Sequence, residues 1–209
     1  MPTACRRGSQ VLAVIGAITA LAAPSAAAAT STGARARTAA NLCPGADSLP
    51  GQLDPTQAQA TTLCVMNAQR TARGLRGLRA QPTLTRAASA FAKQMADQHF
   101  FDHVSPGGST LLSRVKSTGY LRGAVSWSLA ENIAWASDEL STPRAAVQSW
   151  MKSPPHRANL LAPQFTEVGI GIAAGGAPAN GNPDGHGSTY VTDFGKRALR
   201  AEAATTNRR

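Results

Sequence analysis

Apolar residues fall into two regimes along this chain. Over residues 54–161 they recur at intervals of three and four, and from residue 168 onward they alternate. Asp54-Pro55 has the form of a helix opening, an acidic cap followed by proline in the first turn. Leu63, Met66 and Gln69-Arg70 continue that helix, and Gly74 ends it. A second helix starts at Thr83 or Thr85, with Leu84, Ala88, Phe91 and Met95 on one face. Ser109 caps a third, with Leu112 and Val115 inward and Gly119 closing it. Thr142-Pro143 opens a fourth, whose buried stripe is Ala146, Val147, Trp150 and Met151, and Pro154-Pro155 stops it.

The period then shortens. In Val168-Gly169-Ile170-Gly171-Ile172 apolar residues alternate with glycine, which predicts a strand with one packed face and one face closely approached by another part of the chain. Residues 189–194 form a second strand, and residues 125–127 are a candidate third. Residues 175–187, rich in Gly, Pro, Asn and Asp, make a loop too long for a tight turn. Helices first and strands late predict an α+β domain with helices packed on a small antiparallel sheet. The glycines of residues 169–174 resemble a dinucleotide-binding fingerprint, which requires strand, glycine turn and then helix. Here they lie inside the strand itself, so nucleotide binding is set aside.

Composition narrows the setting. The chain has 209 residues, 15% of them charged, and a formal charge of +10, consistent with one domain plus extensions. Arg6 and Arg7, the apolar run 11–23, Pro24 and the small residues 25–29 have the layout of a secretory signal peptide, and the run is too short for a membrane span. Cys5 leaves with that segment. Cys43 and Cys64 then remain, and in an exported protein they pair, constraining the unfolded chain by about 3 kcal/mol; two buried thiols are the alternative. The expected organisation is a signal peptide over 1–29, a flexible linker and disulfide-bearing extension over 30–53, the folded domain over 54–196 and a basic disordered tail over 197–209. Basic residues are dispersed without an aromatic stacking pattern, which argues against nucleic acid. No G-x-S-x-G elbow, H-E-x-x-H or Walker loop occurs.

Four segments carry the chemistry. They are Phe100-Phe101-Asp102-His103-Val104-Ser105-Pro106-Gly107, then Ala130-Glu131-Asn132-Ile133-Ala134, then residues 150–161 with Ser153, His156, Arg157 and Asn159, and finally Phe165-Thr166-Glu167-Val168-Gly169. In this order, over residues 63–195, they resemble the CAP superfamily of cysteine-rich secretory, antigen 5 and pathogenesis-related proteins, in its bacterial SCP-domain form. The resemblance implies an α-β-α sandwich and a surface cleft, lined in eukaryotic members by two histidines and two glutamates that in several bind zinc. His103 matches the first histidine and Glu131 the first glutamate. Ser153 stands where the second glutamate is usual, and Gln164 where the second histidine is usual. His156 belongs to the bacterial pattern and approaches the same cleft.

A His103–Glu131 pair fixes the imidazole tautomer and raises its pKa. A weak divalent metal such as zinc would take neutral His103 and His156 as ligands. Asn132 and Asn159 are expected to hold loop backbone, Arg157 to pair with Glu167 or Asp193, and Trp127, Trp135 and Trp150 to lie in the core. His99 belongs at a helix C-terminus, and His186 has no assigned role. The principal reading is a secreted, non-enzymatic binding module whose partner is an anionic cell-envelope polymer, a lipid or a protein. The alternatives are a peptidase-like metal-assisted hydrolase, with Glu131 as general base, and a lipid-binding protein.

Overall fold

The structure, a computed structural model, describes residues 43–175 and 187–200. The proposed signal peptide, the spacer 30–41, most of the loop containing His186 and the residues beyond 200 lie outside the described residues. The elements in order are α1 (Pro55–Thr71), β1 (Arg79–Ala80), α2 (Pro82–Gln98), α3 (Leu111–Ser117), β2 (Ala124–Ser137), α4 (Pro143–Lys152), α5 (Pro154–Leu161), β3 (Glu167–Ala174) and β4 (Gly187–Leu199). Short 3-10 turns cover Pro50–Gln52 and Asp138–Ser141.

Local chemistry sets most boundaries. Asp54 caps α1 by accepting from Gln57 N–H, with Pro55 in the first turn. Thr142 caps α4 by accepting from Ala145 N–H. α2 begins at Pro82 with Gln81 as its cap, slightly before the expected threonines. Thr110, not Ser109, caps α3. Pro154 and Pro155 end α4 as expected and also open α5, because proline at the first helical position costs no hydrogen bond.

The sheet order is β1-β3-β4-β2. β3–β4 and β4–β2 are antiparallel, and two-residue β1 adds one parallel pairing at the edge. β2 is far longer than the expected residues 125–127, and β4 continues through Leu199, so the beginning of the expected tail is strand. Alternation sends Val168, Ile170, Tyr190 and Phe194 to one face, where they meet Val65, Met66, Trp150 and Leu160 of α1, α4 and α5. On the other face Val191 and Ile133 meet Ala88, Phe91 and Met95 of α2. The result is the α-β-α layering that the resemblance implied.

Gly169 and Gly171 explain the close approach of α2. A Cβ on Gly169 would sit 2.0 Å from the Leu84 carbonyl carbon, and one on Gly171 2.2 Å from that of Ala88. The packed helix backbone therefore occupies the space a side chain would need. On the opposite face the fully buried Arg70 donates to four carbonyl oxygens, of Arg76, Leu160, Ala162 and Phe165, at 2.8–3.1 Å. It ties α1 to the segment between α5 and β3. The Cys43–Cys64 disulfide anchors the preceding turn to α1.

Candidate functional site

β2 is an edge strand, and its period of two places adjacent residues on opposite faces. Glu131 therefore turns toward α2 and α3, while Asn132 turns toward α4 and α5. His103 reaches Glu131 from the loop between α2 and α3. That loop begins where His99 ends α2 in the left-handed conformation, with φ 53°, at a helix C-terminus as expected. The buried Ser105 braces it by accepting from the Ser109 N–H at 3.0 Å. Asp102 accepts from the Val104 N–H at 2.9 Å, and Gly108 makes the turn with φ 79°.

His103 Nδ1 lies 2.7 Å from Glu131 Oε1, and Arg114 Nη2 donates to Oε2 at 2.7 Å. Both Glu131 oxygens are thus engaged, and its side chain is only 3% exposed, whereas that of His103 is 53% exposed. Arg114 also donates to the carbonyls of His103 and Ser109, and its guanidinium carbon stacks 3.3 Å from the Phe91 ring centroid. The hydrogen bond that His103 donates to Glu131, together with the Glu131 charge, raises the His103 pKa above 6.5 against the opposing cost of partial burial. His156 moves the other way, through burial first and then repulsion by His103.

On the opposite side of β2, Asn132 Nδ2 donates to the His156 carbonyl at 2.9 Å. Asn159 Nδ2 donates to Asn132 Oδ1 at 2.9 Å and to the Glu131 carbonyl at 3.3 Å. Both asparagines hold backbone, as their side-chain chemistry predicted, but the carbonyls belong to helix α5 and strand β2 rather than to a loop. They fix α5, and with it His156, against the strand that carries Glu131.

Other expected residues fall elsewhere. Ser153 is the junction of α4 and α5, its N–H bonded to Ser149 and Trp150 and its carbonyl accepting from Arg157; its hydroxyl bonds neither His103 nor Glu131. Gln164 lines a different hollow, with Trp127 and Lys196. Arg157 is exposed and pairs with neither expected acid. Glu167 instead accepts from the Tyr120 hydroxyl at 2.7 Å and faces Arg79 at 3.7 Å, and Asp193 stands opposite Glu131 in the β2–β4 ladder. Trp150 is core and donates to the Ile133 carbonyl, but Trp127 is 46% exposed, because the β2–β4 ladder there runs past the end of β3.

Sequence reasoning missed Arg114, and offered Asp193 to Arg157 rather than placing it opposite Glu131. Arg114 occupies an inward position beside Val115 on α3, and Asp193 interrupts an otherwise apolar and threonine-rich strand. A charge at a core position is the signal both offered.

The donor set does not fit a tight zinc site. Glu131 has one oxygen on His103 and the other on Arg114, which leaves two imidazole rings where structural sites use four ligands and catalytic sites three. No cluster of three or more His, Cys, Asp or Glu suited to a metal occurs among the described residues. Nor is any helix among them long and apolar enough to cross a membrane.

Comparison with known proteins agrees with this fold. The YkwD protein of Bacillus subtilis (strain 168) is 38% identical over 112 residues, which are 53% of this chain and 40% of that relative's length. An extracellular protein containing an SCP domain from Bacillus anthracis str. Ames superposes with a TM-score of 0.54 at 27% identity, over 67% of this chain and 40% of that one. An outer surface protein from Borrelia burgdorferi shares the fold, with a TM-score of 0.51 at 20% identity over 64% of this chain and 87% of that one. This chain thus spans well under half the length of the two Bacillus proteins. The profile of the cysteine-rich secretory protein family matches residues 63–192. The chain belongs to that family, the CAP superfamily, in its bacterial SCP-domain form.

Proposed function

We propose that this protein is a secreted, non-enzymatic binding module that contacts an anionic cell-envelope polymer through the cleft around His103 and His156. The observation that carries the reading is the closed bonding of Glu131. Its oxygens serve His103 and Arg114, so its role is to orient a histidine rather than to activate water. What the cleft offers outward is cationic. His103 is half exposed with a raised pKa, and the exposed Arg157 has no side-chain partner among the described residues. Loss of Arg6 and Arg7 with the signal peptide takes the chain's +10 charge to +8, which would still draw a polyanion toward it. The disulfide favours an oxidising compartment, and hence export.

The test is direct binding of the purified protein to a soluble wall polyanion. Affinity should fall as salt rises, and His103→Ala combined with Arg157→Ala should weaken it. Absent or salt-independent binding removes the reading. Turnover of any peptide substrate, abolished by Glu131→Ala, would replace it with the hydrolase.

A second reading rests on a separate feature. A hollow of about 270 Å³ between β2 and α4 is lined by Ala134, Trp135, Leu140, Ala146 and Tyr190, with Lys152 at hand. Such a lining suits a small apolar ligand carrying an anionic head. Co-purification of a fatty acid, lost on Ala146→Trp, would favour it.

A further inference from the structure

Asp193 has no role in the site as described so far, yet it lies beneath it. It is directly opposite Glu131 in the β2–β4 register, so both side chains leave the same face of the sheet. Asp193 is wholly buried, and neither of its oxygens has a hydrogen-bond donor among the described residues. The groups around it are few. β2 presents Glu131, α3 presents Arg114, and α2 presents Leu84, Ala87, Ala88 and Phe91 on that face. From β3 the opposite position is Gly169. The next charged group along, Glu167, is already taken by Tyr120 and Arg79. His103 is bonded to Glu131 Oε1.

The charge balance is decisive. Glu131 carries one negative charge and Arg114 one positive, in direct contact. A second carboxylate at Asp193 would have no donor and no cation of its own, in a site closed to water. Two carboxyl groups can approach one another only if a proton lies between them. We propose that Asp193 is a carboxylic acid in the folded protein and donates its proton in a hydrogen bond to the Glu131 carboxylate, making it the positioning residue that holds Glu131 toward His103 and Arg114. Burial, and then the neighbouring Glu131 charge, push the Asp193 pKa well above its ordinary value. The inference does not depend on what the cleft binds.

Linkage supplies the test. A carboxyl group whose folded-state pKa is raised contributes stability that is complete below its unfolded value, about 3.9, and is lost as pH rises toward the folded value. Asp193→Asn keeps the shape and a donor but cannot ionise. Thermal unfolding of the wild type and of Asp193→Asn, measured in parallel from about pH 4 to about pH 8, cancels the groups common to both. The difference in Tm, variant minus wild type, should become steadily more positive as pH rises. A flat or falling difference overturns the proposal. Should Asp193→Asn fail to fold, the wild type labelled at the aspartate carboxyl carbon decides the matter by NMR. The Asp193 resonance is expected at the protonated position at neutral pH. An ionised Asp193 resonance overturns the proposal irrespective of the variant.

Discussion

Replacing Arg70 by methionine isolates the largest polar investment in the fold. Methionine retains much of the aliphatic stem and removes only the guanidinium. Four carbonyl oxygens then lose their donor, those of Arg76, Leu160, Ala162 and Phe165. A buried acceptor left without a partner costs about 1–3 kcal/mol. Taking the low end for each, because the segment can relax, gives about 4 kcal/mol. For a domain of this size that corresponds to a fall in Tm of about 8–16 °C. Urea unfolding should show the loss as a lower midpoint at an unchanged slope. Because three of the four acceptors lie in the last turn of α5 and in the segment that joins it to β3, amide exchange should accelerate most over residues 160–165. Arg70→Lys should recover only part of the loss, since an ammonium cannot span the arc of carbonyls that the planar fork reaches. A loss below about 1 kcal/mol, or exchange that rises uniformly, would refute the account.

Gly171→Ala should destabilise by about 3 kcal/mol or more, since the new methyl meets helix backbone at 2.2 Å and no rotamer can relieve it; near-normal chemical denaturation would contradict the packing. Cys64→Ser should lower Tm under oxidising conditions by the equivalent of about 3 kcal/mol and leave it unchanged under reducing ones. Glu131→Gln removes the principal cause of the raised His103 pKa, so the His103 midpoint should fall in an NMR titration. His103→Ala removes the repulsion acting on His156, so the His156 midpoint should rise toward its ordinary value. In the wild type the His103 ion pair adds stability that is complete below about pH 6.5 and fades as pH rises through the raised folded value. With half the ring exposed, the term stays under about 1 kcal/mol and is visible only as a small slope in Tm against pH.

Local rules carried the sequence reading a long way. Caps and prolines marked α1 and α4 because their chemistry is written in adjacent residues. The alternating glycines of β3 announced a close approach before its agent, the α2 backbone, was known. β2 was recognised only at its start, since residues 124–137 mix serine, alanine and apolar residues without a clean period. The reason is visible in the fold. The strand's first part runs past β3 toward solvent, its middle is covered on both faces, and its edge is held by asparagines. The second helical segment after Trp150 escaped because two prolines read equally as a stop and as a start. At the site, His103 and Glu131 were legible from their motifs. Arg114 and Asp193 were not, because the meaning of a buried charge depends on which strand lies opposite, and register is a property of the assembled sheet.

The adjacency of Glu131 and Asn132 follows from the same geometry. A strand gives consecutive residues to opposite faces, so one dipeptide can serve both helical layers at once. Glu131 fastens the His103 loop and α3 through two charged contacts. Asn132 fastens α5 through the His156 carbonyl and through Asn159. Separating the two by one residue would send both to the same face and leave one layer unattached. The two histidines thus come from different layers and are tied to adjacent residues of a single edge strand. Their spacing is set by the rigidity of β2 and its ladder with β4, rather than by either loop. A change that loosens that ladder should therefore disturb both titrations together, whereas a change in either loop should disturb its own histidine first.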